Sequence, residues 1–156
     1  MKTKLTLLFL ALSAGFALAH GGVELGPNGG RLLEFSKDES MHGEVTAKDG
    51  KFAVALLDKD QKPVAVAAQS LTATTGTGAK PEKLAVEKTA TGFSLPAVKD
   101  GQTIILQFRE NEKAKPVTAR FKYDTGNCEE CSSPEWLCKC SEAKEGADKK
   151  EAPKKK

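Results

Sequence analysis

The feature that most constrains this chain is an alternation of apolar and polar residues at period two, carried by nearly every segment from Val23 to Tyr123. No stretch there repeats convincingly at 3.6 residues, the period of an amphipathic helix. Val117-Thr118-Ala119-Arg120-Phe121-Lys122-Tyr123 is the clearest case: its odd-numbered members suit a core and its even-numbered members suit water. The same pattern predicts strands over Lys51 to Asp58, Val64 to Gln69, Leu71 to Thr75, Lys83 to Lys88, Gly92 to Leu95 and Thr103 to Arg109. Turn chemistry separates them at Asp49-Gly50, Asp58-Lys59-Asp60, Gly76-Thr77-Gly78 and Lys99-Asp100-Gly101. Pro63, Pro96 and Pro116 fall at strand starts or edges, where a missing N–H is tolerated.

Strand signals roughly every ten residues, with no helix between them, predict an all-β fold: a single antiparallel β-sandwich, Ig-like, of about seven or eight strands. A small closed β-barrel is the alternative. The expected core is Phe52, Val54, Leu56, Val64, Val66, Leu84, Val86, Phe93, Leu95, Ile104, Leu106, Phe108, Val117, Phe121 and Tyr123.

Residues 1–19 carry the parts of a cleaved signal peptide in order: Lys2 and Lys4, an uncharged and mostly apolar run from Leu5 to Phe16, and small residues at Ala17 and Ala19. The apolar run is shorter than the roughly 20 residues a membrane-spanning helix needs, and no later segment is apolar enough to span a bilayer. The expectation is an exported protein, periplasmic or extracellular, whose mature chain starts at or near His20 and has no transmembrane segment. The organisation that follows is a sandwich domain at 20–125, a Cys-rich segment at 126–140 and a disordered Lys-rich tail at 141–156.

Charge narrows the function classes. The net charge of +3 includes Lys2 and Lys4, and the tail's six Lys outweigh its four acidic residues, so residues 20–140 stand near −1. A nearly neutral domain with few aromatics has no electrostatic footprint for nucleic acid. The sandwich region also lacks a nucleophile elbow, a phosphate loop and a helix with paired metal ligands, so no enzyme is expected.

All four cysteines lie close together as Cys128-Glu-Glu-Cys131, six further residues, then Cys138-Lys-Cys140. Three chemistries compete. Four thiolates can close around one soft or borderline ion: the C-x2-C half has zinc-knuckle spacing, while C-x-C is less usual for zinc and more familiar from thiolate-rich copper or multi-metal sites. In an oxidising compartment the same residues can instead form two disulfides that staple the segment. Or Cys128 and Cys131 can form a redox-active pair, though the βαβ setting of a thioredoxin-like fold is missing. Glu129 and Glu130 discourage thiolate formation unless a cation is present. Trp136, between the pairs, is expected to pack the segment onto the sandwich.

Cleavage after Ala19 would give His20 a free α-amine, and an N-terminal His chelates Cu(II) through amine and ring together. His42 is the only other imidazole, with Met41 and Glu44 as neighbouring donors. A second metal site is expected if the strands bring His42 to His20.

Gly26-Pro27-Asn28-Gly29-Gly30-Arg31-Leu32-Leu33-Glu34 resembles a segment in periplasmic adaptor subunits of heavy-metal efflux pumps, where a His usually stands at the position of Asn28. The chain has no room for the helical hairpin and barrel of those adaptors, so the resemblance implies the small sandwich module alone. The layout is also similar to a group of small exported proteins with an early GPNGG loop and a Cys-rich end, and more loosely to small periplasmic copper carriers. Pro27-Asn28-Gly29-Gly30 is at the same time a strong turn sequence in its own right. The leading functional expectation is an envelope protein that buffers or carries copper or zinc. The alternatives are a disulfide-stapled interaction domain with an envelope partner, and a thiol–disulfide redox protein.

Overall fold

The computed structural model describes residues 23–76 and 81–140; the signal segment 1–19, His20 and the tail 141–156 lie outside them. The described chain forms nine strands: β1 (Arg31–Glu34), β2 (Met41–Lys48), β3 (Lys51–Asp58), β4 (Ser70–Thr75), β5 (Glu82–Leu84), β6 (Glu87–Lys88), β7 (Gly92–Pro96), β8 (Thr103–Arg109) and β9 (Val117–Lys122). A single 3-10 turn, Glu135–Leu137, follows. One sheet has the order β1-β2-β3-β7-β6 and the other β5-β4-β8-β9, and every pairing is antiparallel. The two sheets do not close on each other, so the fold is a sandwich and not a barrel.

Inward residues of both sheets meet in one core. Phe52, Val54, Leu56, Phe93, Leu95, Ile104, Leu106, Phe108 and Phe121 are all buried. Val64, Val66, Leu84, Val86 and Tyr123 are half-buried at its margin, and Val117 is half-buried too. Leu33 of β1, Val45 of β2 and Phe35 just beyond β1 complete it, Phe35 stacking on Phe108 with ring centres 4.7 Å apart.

Two predicted strands form differently. Val64 to Gln69 is not a strand. Pro63 makes one isolated bridge to Leu57, then the Val64 N–H donates to Leu56 O and the Val66 N–H to Ala90 O. The segment divides its hydrogen bonds between two neighbours and closes the end of the first sheet. Lys83 to Lys88 is two strands. β5 pairs with β4 and β6 with β7, so the chain changes sheets around Ala85-Val86 without breaking its alternation.

β2 places a carboxylate where apolar residues are usual. Glu44 is 1% exposed, on the outer face of the first sheet, opposite to Val45 in the core. The Gly26–Gly30 turn covers it. Glu44 Oε1 accepts from the N–H groups of Asn28 (2.7 Å) and Gly30 (2.9 Å), and Oε2 accepts from Asn28 Nδ2 (2.7 Å). Close approach explains two of the glycines: a Cβ on Gly26 would lie 2.5 Å from Glu44 Cδ, and one on Gly30 would lie 2.5 Å from Val45 O. Glu44→Ala leaves three donors unpaired in a covered site and is expected to cost about 3 kcal/mol, lowering Tm by about 10 °C. Glu44→Gln, which keeps one acceptor oxygen, should lose distinctly less; thermal unfolding followed by circular dichroism measures both.

Candidate metal centre

The cysteine segment is built back onto the last strand. Beyond β9, Thr125 donates to Asp100 Oδ1 through its N–H (2.6 Å) and its hydroxyl (2.8 Å), which ties the exit of the strand to the β7–β8 turn. The chain then loops out and returns beside itself, with Asn127 bridged to Pro134. The Glu135 N–H donates to Gly126 O at 2.7 Å and the Trp136 N–H to Asp124 O at 3.0 Å. Inside the loop the Cys128 N–H donates to Ser133 O, and Cys128 O accepts from the Ser132 N–H. Ser132 takes a positive φ of 57° to make that reversal.

Trp136 anchors the whole. It is 5% exposed and packs against three rings of the sandwich: Phe121 (centres 5.9 Å apart), Tyr123 (5.4 Å) and Phe52 (6.2 Å). From β1, Arg31 Nη1 donates to Trp136 O at 3.0 Å while its guanidinium lies 5.6 Å from the centre of the Phe121 ring. The 3-10 turn that leads into Cys138 is therefore held from below by aromatic rings and from the side by a cation.

This scaffold gathers the four thiols. The Sγ atoms of Cys128, Cys131, Cys138 and Cys140 all lie within 4.8 Å of one another. A tetrahedral thiolate site with metal–sulfur bonds of ~2.3 Å has its sulfurs ~3.8 Å apart, so a slight contraction closes this cluster on one ion. Cys131 and Cys138 already stand 3.5 Å apart. The Cys140 N–H donates to Cys138 Sγ at 3.2 Å.

The electrostatics divide the thiols. Hydrogen bonds from the Ser133 backbone N–H, then from its hydroxyl and from Cys138, draw the Cys131 thiol down to about 7. The hydrogen bond with Cys128, together with burial, pushes Cys138 up to about 12. Cys140 is raised by its hydrogen bond with Cys131 and by burial. Thiols this close cannot all ionise unless a cation compensates them, and a bound cation inverts that balance.

The imidazole belongs elsewhere. His42 is opposite Glu34 in the β1–β2 ladder, on the same outer face as Glu44, and its Nδ1 lies 3.1 Å from Glu34 Oε1. Glu44 is engaged by Asn28 and Gly30, and Met41 packs on the core, so neither expected neighbour joins His42. His42 does not belong to the cysteine cluster; its distance from His20 lies outside the described residues. Arg31 as a support of the cluster and Asn28 as a clamp on Glu44 were not foreseen from the sequence, since both act on residues remote in the chain. Comparison with protein-family models, curated proteins and solved structures gives no match for the chain.

Arg31→Ala removes a charged donor from Trp136 O and the contact with Phe121, and is expected to cost about 2 kcal/mol in a urea unfolding titration. Arg31→Lys, which keeps a cationic donor, should recover part of the loss. Equal losses in the two variants would show that the planar guanidinium itself makes the contact and that a positive charge alone does not.

Proposed function

We propose that this is an exported metal-binding protein that buffers or carries zinc or copper in the periplasm or outside the cell, with no catalytic step of its own. The observation that carries the proposal is the convergence of four cysteine sulfurs within 4.8 Å of one another on a loop fixed to the sandwich. Two disulfides require only that sulfurs meet in pairs, whereas a mutual cluster of four is what a single ion requires. The Ser133 donors support thiolate character at Cys131, and the Cys140 N–H on Cys138 Sγ is an outer hydrogen bond of the kind common around metal-bound sulfur. Four sulfurs suit tetrahedral Zn²⁺ best; Cu(I), which favours thiolates in lower number, is the alternative ion. His42, and His20 beyond the described residues, would be a separate and weaker locus for Cu(II). The resemblance of the Gly26–Glu34 segment to efflux adaptors agrees with a metal-handling role in the envelope.

One observation favours a second reading. The 3.5 Å between the sulfurs of Cys131 and Cys138 is close enough that a modest movement would bring them to disulfide bonding distance. The chain would then be a stapled interaction domain, or a redox protein whose reactive pair is Cys131 with Cys138 and not Cys128 with Cys131.

Native mass spectrometry of the exported protein purified without chelator, with thiol alkylation in parallel, decides between them. The expected result is one zinc or copper ion per chain, with Cys128 and Cys138 alkylated only after its removal. Cys128→Ser or Cys138→Ser is expected to weaken binding by at least about tenfold, the effect of losing roughly 1.4 kcal/mol. A metal-free mass four hydrogens light, resistant to alkylation, would overturn the metal reading in favour of two disulfides. The same spectrum reports whether the chain begins at His20.

A further inference from the structure

The four ligands are not equivalent, and their difference indicates how an ion would leave. Cys128 is 4% exposed and Cys138 0% exposed, whereas Cys131 is exposed and Cys140 half-buried. Backbone bonding follows the same division. Cys128 has both its N–H and its C=O in hydrogen bonds within the loop, and the Cys138 N–H is held by Glu135 O at the end of the turn that Trp136 and Arg31 fix. Cys131 sits at the tip of the reversal, flanked by the exposed residues Glu130 and Ser132. An ion in this cluster is therefore backed by two sulfurs rooted in the fold and faces solvent through Cys131. A structural zinc site is closed on all sides, whereas exchange needs an open approach to the ion.

We infer that Cys131 is the exchange ligand of this site, and that the ion passes directly to an acceptor carrying free thiols. The inference rests on the metal reading above. An acceptor sulfur approaches from the Cys131 side and forms a new metal–sulfur bond as the metal–Cys131 bond breaks. The acceptor thiol releases its proton on binding and the departing Cys131 thiolate takes one up, so neither charge nor oxidation state changes overall. Cys140, Cys128 and Cys138 then leave in turn, each broken metal–sulfur bond being replaced by one to a further acceptor thiol of the same or a second molecule, whose proton the freed cysteine takes up. The acceptor class is a protein or small molecule with two neighbouring thiols, because a single thiol cannot displace the buried pair.

The zinc-loaded full-length protein tests this with two probes. Limiting N-ethylmaleimide, mapped by peptide mass spectrometry, is expected to label Cys131 at least about tenfold ahead of Cys128 and Cys138. Zinc release to a chromogenic chelator is expected to accelerate in proportion to added dithiothreitol, and Cys131→Ser, compared with the unmodified protein at equal zinc occupancy, should lose most of that acceleration. Zinc that binds stoichiometrically but leaves at a rate independent of dithiothreitol would overturn the inference and leave a closed site. So would first labelling at Cys128 or Cys138. A protein that binds no zinc or copper at all would fail earlier, at the native mass, and would remove the metal reading itself.

Discussion

The burial of Trp136 against Phe52, Phe121 and Tyr123 is the contact on which the geometry of the cysteine segment depends. A stretch of this length with one 3-10 turn is far too small to bury a core of its own. Its four thiols acquire a common position only because one large side chain between the two cysteine pairs is fixed to a rigid surface. Removing a buried aromatic ring from such a site costs on the order of 3–5 kcal/mol. The Trp136 N–H and C=O extend that fixation to the main chain: one bonds to Asp124 at the exit of β9, the other to Arg31 on β1. The segment thus bridges the edge strands of the two sheets.

That bridge gives the Gly26–Glu34 segment two structural uses. Its glycine-rich half lies against the buried Glu44 so closely that a methyl group at Gly26 or Gly30 would collide, and Asn28 provides two of the three hydrogen bonds that satisfy the carboxylate. Arg31 then turns to the other face, consistent with its pairing opposite the inward Val45, and reaches the Trp136 carbonyl. A buried carboxylate without donors is costly, and so is a partly buried guanidinium without an acceptor. Each is satisfied by a partner the alternation of β1 and β2 brings within reach, so the register of this one hairpin sets both contacts.

The sequence showed the parts of this design that are periodic or local and hid the parts that join distant residues. Phe121 and Tyr123 announce their inward face by alternation alone, and the structure keeps them there. Trp136 was legible as an anchor because an indole in a short polar loop has nowhere else to go. Lys83 to Lys88 misled because a strand that changes sheets retains period two, and periodicity carries no information about which neighbour accepts the hydrogen bonds. Val64 to Gln69 misled for the related reason that alternation records which side is buried, not whether a ladder forms. Glu44 was invisible as a buried group, since a carboxylate in a β-strand reads as a solvent-facing residue until the donors that cover it, 14 and 16 positions earlier, are known. The convergence of the cysteines was legible from their spacing. Their division into a buried pair, a half-buried Cys140 and an exposed Cys131 was not, because it follows from where Trp136 seats the loop.

The division has a consequence for any ion the cluster holds. Rigid, buried ligands favour retention, because a sulfur that cannot swing away recaptures the ion faster than solvent or a competitor replaces it. An exposed ligand at a turn tip favours exchange, since its departure disturbs no packed contact and its place can be taken without opening the fold. On the proposed metal reading, two of the first kind combined with Cys131 would separate affinity from rate: Cys128 and Cys138 would govern how tightly an ion is held, and Cys131 how readily another thiol gains access. Four buried thiols would bind as well and release slowly, and four exposed thiols would lack the preorganisation that Trp136 and Arg31 impose. The sandwich, on this account, is the mount that keeps one half of the site still while the other half remains open.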